Sequence, residues 1–294
     1  MVLFNEAKFA ERCRDGLIDG IRQAGVKEGK DYQLKIYNAQ GDMSTLSSIM
    51  DTVKSAQADL LMVISTPVLQ AALRQAGEEI KIVFTGVADG VMAGAGKSKT
   101  DHLPNVTGIS ICSPFDGMAR LIKETLPDAR RVGTLFTPGE INSVLYRDLF
   151  KTALEKVGLE LISIPVISMA DVSQSAIALC QKDIHVVAQV VDNLTSPGFA
   201  LIARKASEND LPVYVFESSQ MKEGGTLCLA RDSYDAGLEA SEKAVRILKG
   251  ENPRDIAFSN TQSEKLIFNP ELVKRYKLKI SKAMWKQATL YAAE

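Results

Sequence analysis

Asp59-Leu60-Leu61-Met62-Val63-Ile64-Ser65-Thr66-Pro67 runs from an apolar stretch directly into a helix start. A short apolar run bounded by turn residues reads as a strand buried on both faces, the kind found in parallel sheets. Thr66 suits an N-cap and Pro67 the first helical position. Outward from this unit the pattern repeats. Upstream, 8–24 has helical periodicity and ends at Gly25, 32–37 is extended, and 44–56 is again helical. Downstream, Ile80–Thr85 is a second apolar strand. Strands alternating with helices predict a parallel sheet covered on both faces.

The rhythm breaks over 86–104, rich in Gly, Ser, Lys and Pro, and 106–112 reads as a strand leading out of the first lobe. A second series follows: helix 115–126, strand 132–136, helix 140–157, strand 159–165, helix 171–182, strand 184–191, helix 195–209 and strand 213–216. Thr226–Ala230 and 265–268 are further extended segments, with helix 233–249 between them. The fold class is therefore α/β: two Rossmann-like lobes with parallel sheets, joined by a multi-strand hinge. The lobes are expected at 1–112 plus about 232–262, and 113–231 plus about 263–294, with the ligand cleft between them.

Composition narrows the function. The 294 residues carry a net charge of −1 and 24% charged residues, with no basic stripe interleaved with aromatics, so nucleic acid is not an expected partner. No apolar run reaches the ~18 residues of a membrane span. Val2-Leu3-Phe4 is all that precedes the first helix, which favours a mature chain whose export segment has been removed. The four cysteines show no metal-like spacing with His102 or His185, so neither metal nor cofactor is expected. Buried thiols are the simplest reading, with a Cys112–Cys228 bridge as the alternative. Gly90–Ser98 mimics a phosphate-binding loop, but five residues separate Gly90 from Gly96 where the motif needs four. No nucleophile–base pair stands out, and an enzyme is not expected.

In open α/β sheets, ligands bind beyond the carboxyl ends of the strands. That rule selects Ser65, Thr66 and Thr85 in the first lobe. Free N–H groups at the helix opened by Pro67 would suit a carboxylate there. In the second lobe it selects Thr137–Ser143, with Asn142 and Ser143, then Asp192-Asn193 and Glu217-Ser218. Asp192 is the natural acceptor for a ligand ammonium. Donors on one lobe and acceptors on the other suit a zwitterion.

Asn38-Ala39-Gln40-Gly41-Asp42-Met43-Ser44-Thr45, Ser65-Thr66-Pro67, Ile82–Thr85, Asn105–Gly108, Asn142-Ser143-Val144, Asp192-Asn193 and Arg246–Pro253 together resemble one family. It comprises the ABC-transporter substrate-binding proteins of the tryptophan/tyrosine type, with the type 1 periplasmic-binding-protein fold. The resemblance implies a periplasmic or lipid-anchored monomeric receptor that closes over a small polar ligand, with an amino acid, aromatic or related, the expected one. It would deliver that ligand to a membrane permease. By position it implies that Ser65, Thr66 and Thr85 hold the carboxylate, while Asn142, Ser143, Asp192 and Asn193 close from the other lobe. Asn5–Phe9 replaces the family's Glu-His-Pro-like segment, and Glu217–Gln220 its more acidic turn, so Asn5 and Glu217 fall where selectivity is set. The same fold serving as a ligand-sensing domain of a receptor or regulator is the alternative, and an α/β enzyme a more distant one.

Overall fold

A computed structural model describes residues 1–291. The chain divides into two compact units, Met1–Cys112 with Ser233–Gln262, and Ser113–Asp232 with Ser263–Glu294, so it passes from one to the other three times.

The first unit is built on strands β1 (Val2–Leu3), β2 (Tyr37–Asn38), β3 (Leu60–Ile64), β4 (Lys81–Val87), β5 (Val106–Ser110) and the late β11 (Ser259–Asn260). All pairs are parallel, in the order β11-β5-β4-β3-β1-β2. Helices α1 (Lys8–Gln23) and α8 (Ser233–Leu248) cover one face, where Leu17, Ile21, Val83 and Ala240 are buried together. Helices α2 (Met43–Ser55) and α3 (Thr66–Gln75) cover the other, around Leu46, Met50, Leu69 and Phe84. Covering both faces is why β3 and β4 read as continuous apolar runs. The two helices α1 and α8 approach so closely that a Cβ on Gly16 would collide with the Tyr234 carbonyl. Chain order reverses at β1: α1 leads to β2 on one side, and the next crossover returns to β3 on the other. The switch point therefore lies between the carboxyl ends of β1 and β3.

The second unit carries β6 (Arg131–Phe136), β7 (Glu160–Pro165), β8 (Val186–Gln189), β9 (Val213–Val215), β10 (Leu227–Arg231), β12 (Glu264–Phe268) and β13 (Thr289–Leu290). Their order is β13-β12-β10-β9-β8-β6-β7, parallel except where β12 meets β10. Its helices are α4 (Phe115–Thr125), α5 (Ile141–Glu155), α6 (Val172–Cys180) and α7 (Phe199–Glu208), followed late in the chain by the short α9 (Pro270–Arg275) and α10 (Lys282–Gln287). Phe115, Phe150 and Phe216 form an aromatic cluster with ring centroids 5.0–5.6 Å apart. Here β6 leads through α5 to β7 on one side, and the chain then returns to β8 on the other. This unit's switch point lies between β6 and β8.

Several expectations are corrected. The extended run 32–37 pairs with the sheet only from Tyr37, the preceding residues being irregular. The helices expected at 171–182 and 195–209 each open with a single tight turn, Met169–Asp171 and Ser196–Gly198, before becoming regular. Ser65 is the N-cap of α3, with Thr66 and Pro67 its first two residues, so the cap stands one position earlier than the Thr66-Pro67 pattern implies. None of the four cysteines is disulfide-bonded, so the alternative Cys112–Cys228 bridge is absent. Cys228 is fully buried, and burial followed by the nearby Glu217 and Asp232 carboxylates pushes its thiol well above the ordinary range.

Candidate binding half-sites

The strand tips of the first unit bring Asn5, Ser65 and Thr85 onto the neighbouring strands β1, β3 and β4. Ser65 adopts φ 93°, ψ 155°, a region that only glycine enters freely. Its N–H donates to the Thr85 carbonyl at 3.2 Å, and its carbonyl accepts from Leu69 N–H at 3.1 Å, the first bond inside α3. Its Oγ is buried and has no hydrogen-bond partner. An unpartnered buried hydroxyl on a strained backbone marks Ser65 as a candidate functional position. The first N–H groups of α3 lack intrahelical acceptors by helix geometry, and they sit beside this hydroxyl at the positive end of the helix dipole.

The other candidates here have structural work. Thr66 Oγ1 accepts from Ala88 N–H at 3.4 Å, and Thr85 Oγ1 donates 3.2 Å to the Ala236 carbonyl of α8. Asn5 is 8% exposed, and its Oδ1 accepts from Ala7 N–H at 3.1 Å, turning the chain from β1 into α1. Gly86 has φ 65°; a Cβ there would stand 3.2–3.3 Å from the Phe9 ring and Ile64 Cγ2. An aromatic side chain thus lies against the β4 tip, one strand from Ser65.

In the second unit, β6 and β8 separate at their tips, and the Gln189 side chain fills the gap as a substitute ladder. Its Oε1 accepts from Leu135 N–H, and its Nε2 faces the Leu135 carbonyl, each at 3.0 Å. Just beyond, Asp192 Oδ2 accepts from Thr137 Oγ1 (3.0 Å) and Ser143 Oγ (2.7 Å). Its Oδ1 accepts from Thr195 N–H (2.7 Å) and Thr195 Oγ1 (2.6 Å). A carboxylate has about four lone-pair sites, and these four donors occupy them. Asp192 thus ties Thr137, Ser143 and Thr195 together at the switch point. Ser143 is drawn into the same network, its Oγ also accepting from Thr137 N–H at 2.8 Å.

Glu140, the residue before α5, has a second such role. Its Oε2 accepts from Asn142 Nδ2 (3.1 Å), Asn193 N–H (2.9 Å) and Asn193 Nδ2 (2.6 Å), and its Oε1 from Leu194 N–H (3.0 Å). Burial, and then the Asp192 charge, push this carboxyl up to about 7 against the hydrogen bonds from Asn193 and Asn142. What is left open is Asn142 Oδ1, buried on a residue only 7% exposed and accepting nothing. Glu217 follows β9, the strand beside β8. It is 3% exposed, and its Oε1 accepts from Ser219 N–H at 3.4 Å. Gln220 in the same turn has a buried Oε1 without a partner.

The structure thus gathers Asn142, Ser143, Asp192 and Asn193 around one switch point, with Glu217 on the adjacent strand. Sequence reasoning missed Gln189, and it gave Glu140 no role within the selected 137–143 stretch. A buried strand ending in Gln, and a Glu immediately before Asn-Ser at a helix start, were the available signals. Among the described residues no cluster of His, Cys, Asp and Glu could hold a metal ion, and no helix is long and apolar enough to cross a membrane.

The chain is similar to known proteins along its length. A tyrosine-binding protein of Clostridioides difficile is 30% identical over 264 residues, covering 90% of this chain and 76% of that protein. A conserved domain protein of Vibrio cholerae matches in structure with a TM-score of 0.92 at 28% identity, covering 98% of this chain and 97% of that one. An ABC domain from Streptococcus pneumoniae in complex with L-Trp gives a TM-score of 0.91 at 24% identity, covering 98% and 97%, a likeness of fold. The family described as ABC transporter substrate binding protein matches residues 4–291. By these matches this chain belongs to the ABC transporter substrate-binding protein family, whose members are extracytoplasmic binding components and not enzymes.

Proposed function

We propose that this protein binds an aromatic α-amino acid and presents it, as a monomer, to the membrane permease of an ABC importer. The first unit takes the carboxylate, through Ser65 Oγ and the N–H groups opening α3. The second takes the ammonium, through Asn142 Oδ1 with Glu217 and Asn193 nearby, over the network held by Asp192 and Ser143. Thr66, Thr85 and Asn5 shape the first half-site, and Phe9 offers a ring to the ligand side chain.

The observation carrying this reading is Ser65: a strained, buried residue whose hydroxyl has no partner, at a helix N-terminus beside a switch point. The tyrosine-binding relative supports the aromatic class. A ligand held jointly by both half-sites would favour a closed arrangement, the three chain crossings acting as the hinge. Moving such an equilibrium from 1:99 to 99:1 takes roughly 5.5 kcal/mol of differential affinity, which contacts to the second half-site must supply.

A thermal-shift panel of amino acids, sugars and nucleosides tests this directly. Tyrosine, phenylalanine or tryptophan should raise the melting temperature. A shift given only by sugars or nucleosides would contradict the proposal.

A further inference from the structure

The Asn142 amide has two chemically opposite ends, and the structure constrains which one is offered. Its Nδ2 donates to Glu140 Oε2, and planarity of the amide then directs its Oδ1 away from that carboxylate. The Oδ1 is shut off from solvent and accepts no hydrogen bond. Glu140 is itself clamped: the other three groups donating to it are the backbone N–H of Asn193, the Asn193 amide and the backbone N–H of Leu194, all from the loop after β8. As an anion it has no proton to give. Turning the Asn142 amide over would set oxygen against carboxylate oxygen.

We propose that Glu140 is a positioning residue that holds Asn142 with its oxygen open to a donor on the ligand, making this half-site select an ammonium group. The inference rests on the amino-acid reading above and deepens it. A neutral amide gains from the arrangement what a second charge would not: an acceptor of fixed direction with no desolvated charge of its own.

Protonation of Glu140 loosens this hold. A carboxyl hydrogen needs an acceptor, which the Asn193 amide at 2.6 Å or the Asn142 amide at 3.1 Å supplies by rotating, and Oε2 then binds its remaining donors less firmly. Asp192, on the loop after β8, is the charged neighbour that acts on Glu140. Ammonium selection should therefore weaken as the pH falls through about 7.

The test compares L-tyrosine with its deaminated analogue, 3-(4-hydroxyphenyl)propionate, by calorimetry, in folded wild-type protein and three variants. Glu140→Ala should cut the preference for tyrosine ~10-fold or more, the effect of losing one charge-assisted hydrogen bond. Glu140→Gln has no titrating proton and should lose the pH dependence of that preference. Adding Asn142→Asp to Glu140→Ala should restore the preference, since aspartate is an acceptor in either orientation. An unchanged preference in Glu140→Ala, a pH dependence that survives in Glu140→Gln, or no recovery in the double variant would each overturn the inference. A ligand-free readout separates this from the functional reading. The Asn142 side-chain amide protons should be protected from exchange in wild type and lose that protection in Glu140→Ala. If wild type binds no amino acid, the functional reading fails, and equal protection in the two proteins would then sink the positioning role on its own.

Discussion

Glu140 Oε2 and Asn193 Nδ2 lie 2.6 Å apart, tying the start of α5 to the loop after β8 across the switch point of the second unit. Beneath them, Asp192 gathers Thr137, Ser143 and Thr195. Two carboxylates, each saturated by its own unit, fix the geometry that leaves Asn142 Oδ1 available.

Glu140 makes folding stability depend on pH. Its folded value of about 7 lies above the 4.5 of the unfolded chain, so the folded state binds the proton more tightly. The stabilisation this gives is complete below 4.5, shrinks as pH rises, and is gone above 7. Glu140→Gln should therefore gain on wild type by roughly 3 kcal/mol between those pH values, measured by denaturant unfolding at each pH. A constant difference between the two proteins would show that Glu140 titrates normally.

Ser65→Gly removes a β-carbon from a backbone region that glycine tolerates, and stability should rise by about 1–2 kcal/mol. Ser65→Ala keeps that strain. Both lose the hydroxyl, and both should bind ligand about tenfold more weakly. Thermal melts and calorimetry on the pair separate strain from recognition; equal melting temperatures for the two variants would remove the strain argument.

Asp192→Ala orphans hydroxyl and amide donors on three residues and should cost about 2–4 kcal/mol of stability, with binding lost alongside. A direct ammonium contact would behave differently. Loss of affinity with an unchanged unfolding midpoint would return Asp192 to the ligand's own shell.

Gly16→Ala drives a methyl group into the Tyr234 backbone carbonyl, where α1 and α8 meet. Overpacking against backbone cannot be relieved by a rotamer change, so about 1–3 kcal/mol should be lost in chemical denaturation. Retention of wild-type stability would mean that the helices slide apart at little cost.

Much of this fold was legible because β3, β4 and β8 are buried on both faces and so carry continuous apolar runs, while α1 and α8 keep a clear helical period. The 32–36 stretch misled because alternating polarity without a sheet partner looks like a strand. Ser65, Asn142, Asn193 and Glu217 were singled out by position alone, as residues that follow strand ends. The hydrogen bonds that surround them were not legible. Whether Asp192 meets a ligand or four donors from its own unit depends on hydroxyls on Thr137, Ser143 and Thr195, two of them about fifty residues away in sequence. Gln189 was hidden for a related reason: its amide replaces ladder bonds where β6 and β8 part, and no local pattern announces that.

Calorimetric titration of the wild-type protein with L-tyrosine, tyramine and 3-(4-hydroxyphenyl)propionate tests the central claim most directly. Recognition of both ends of an amino acid predicts tight binding of tyrosine, with each analogue weaker by at least about tenfold. Equal affinity for all three, or no binding of any, would contradict it.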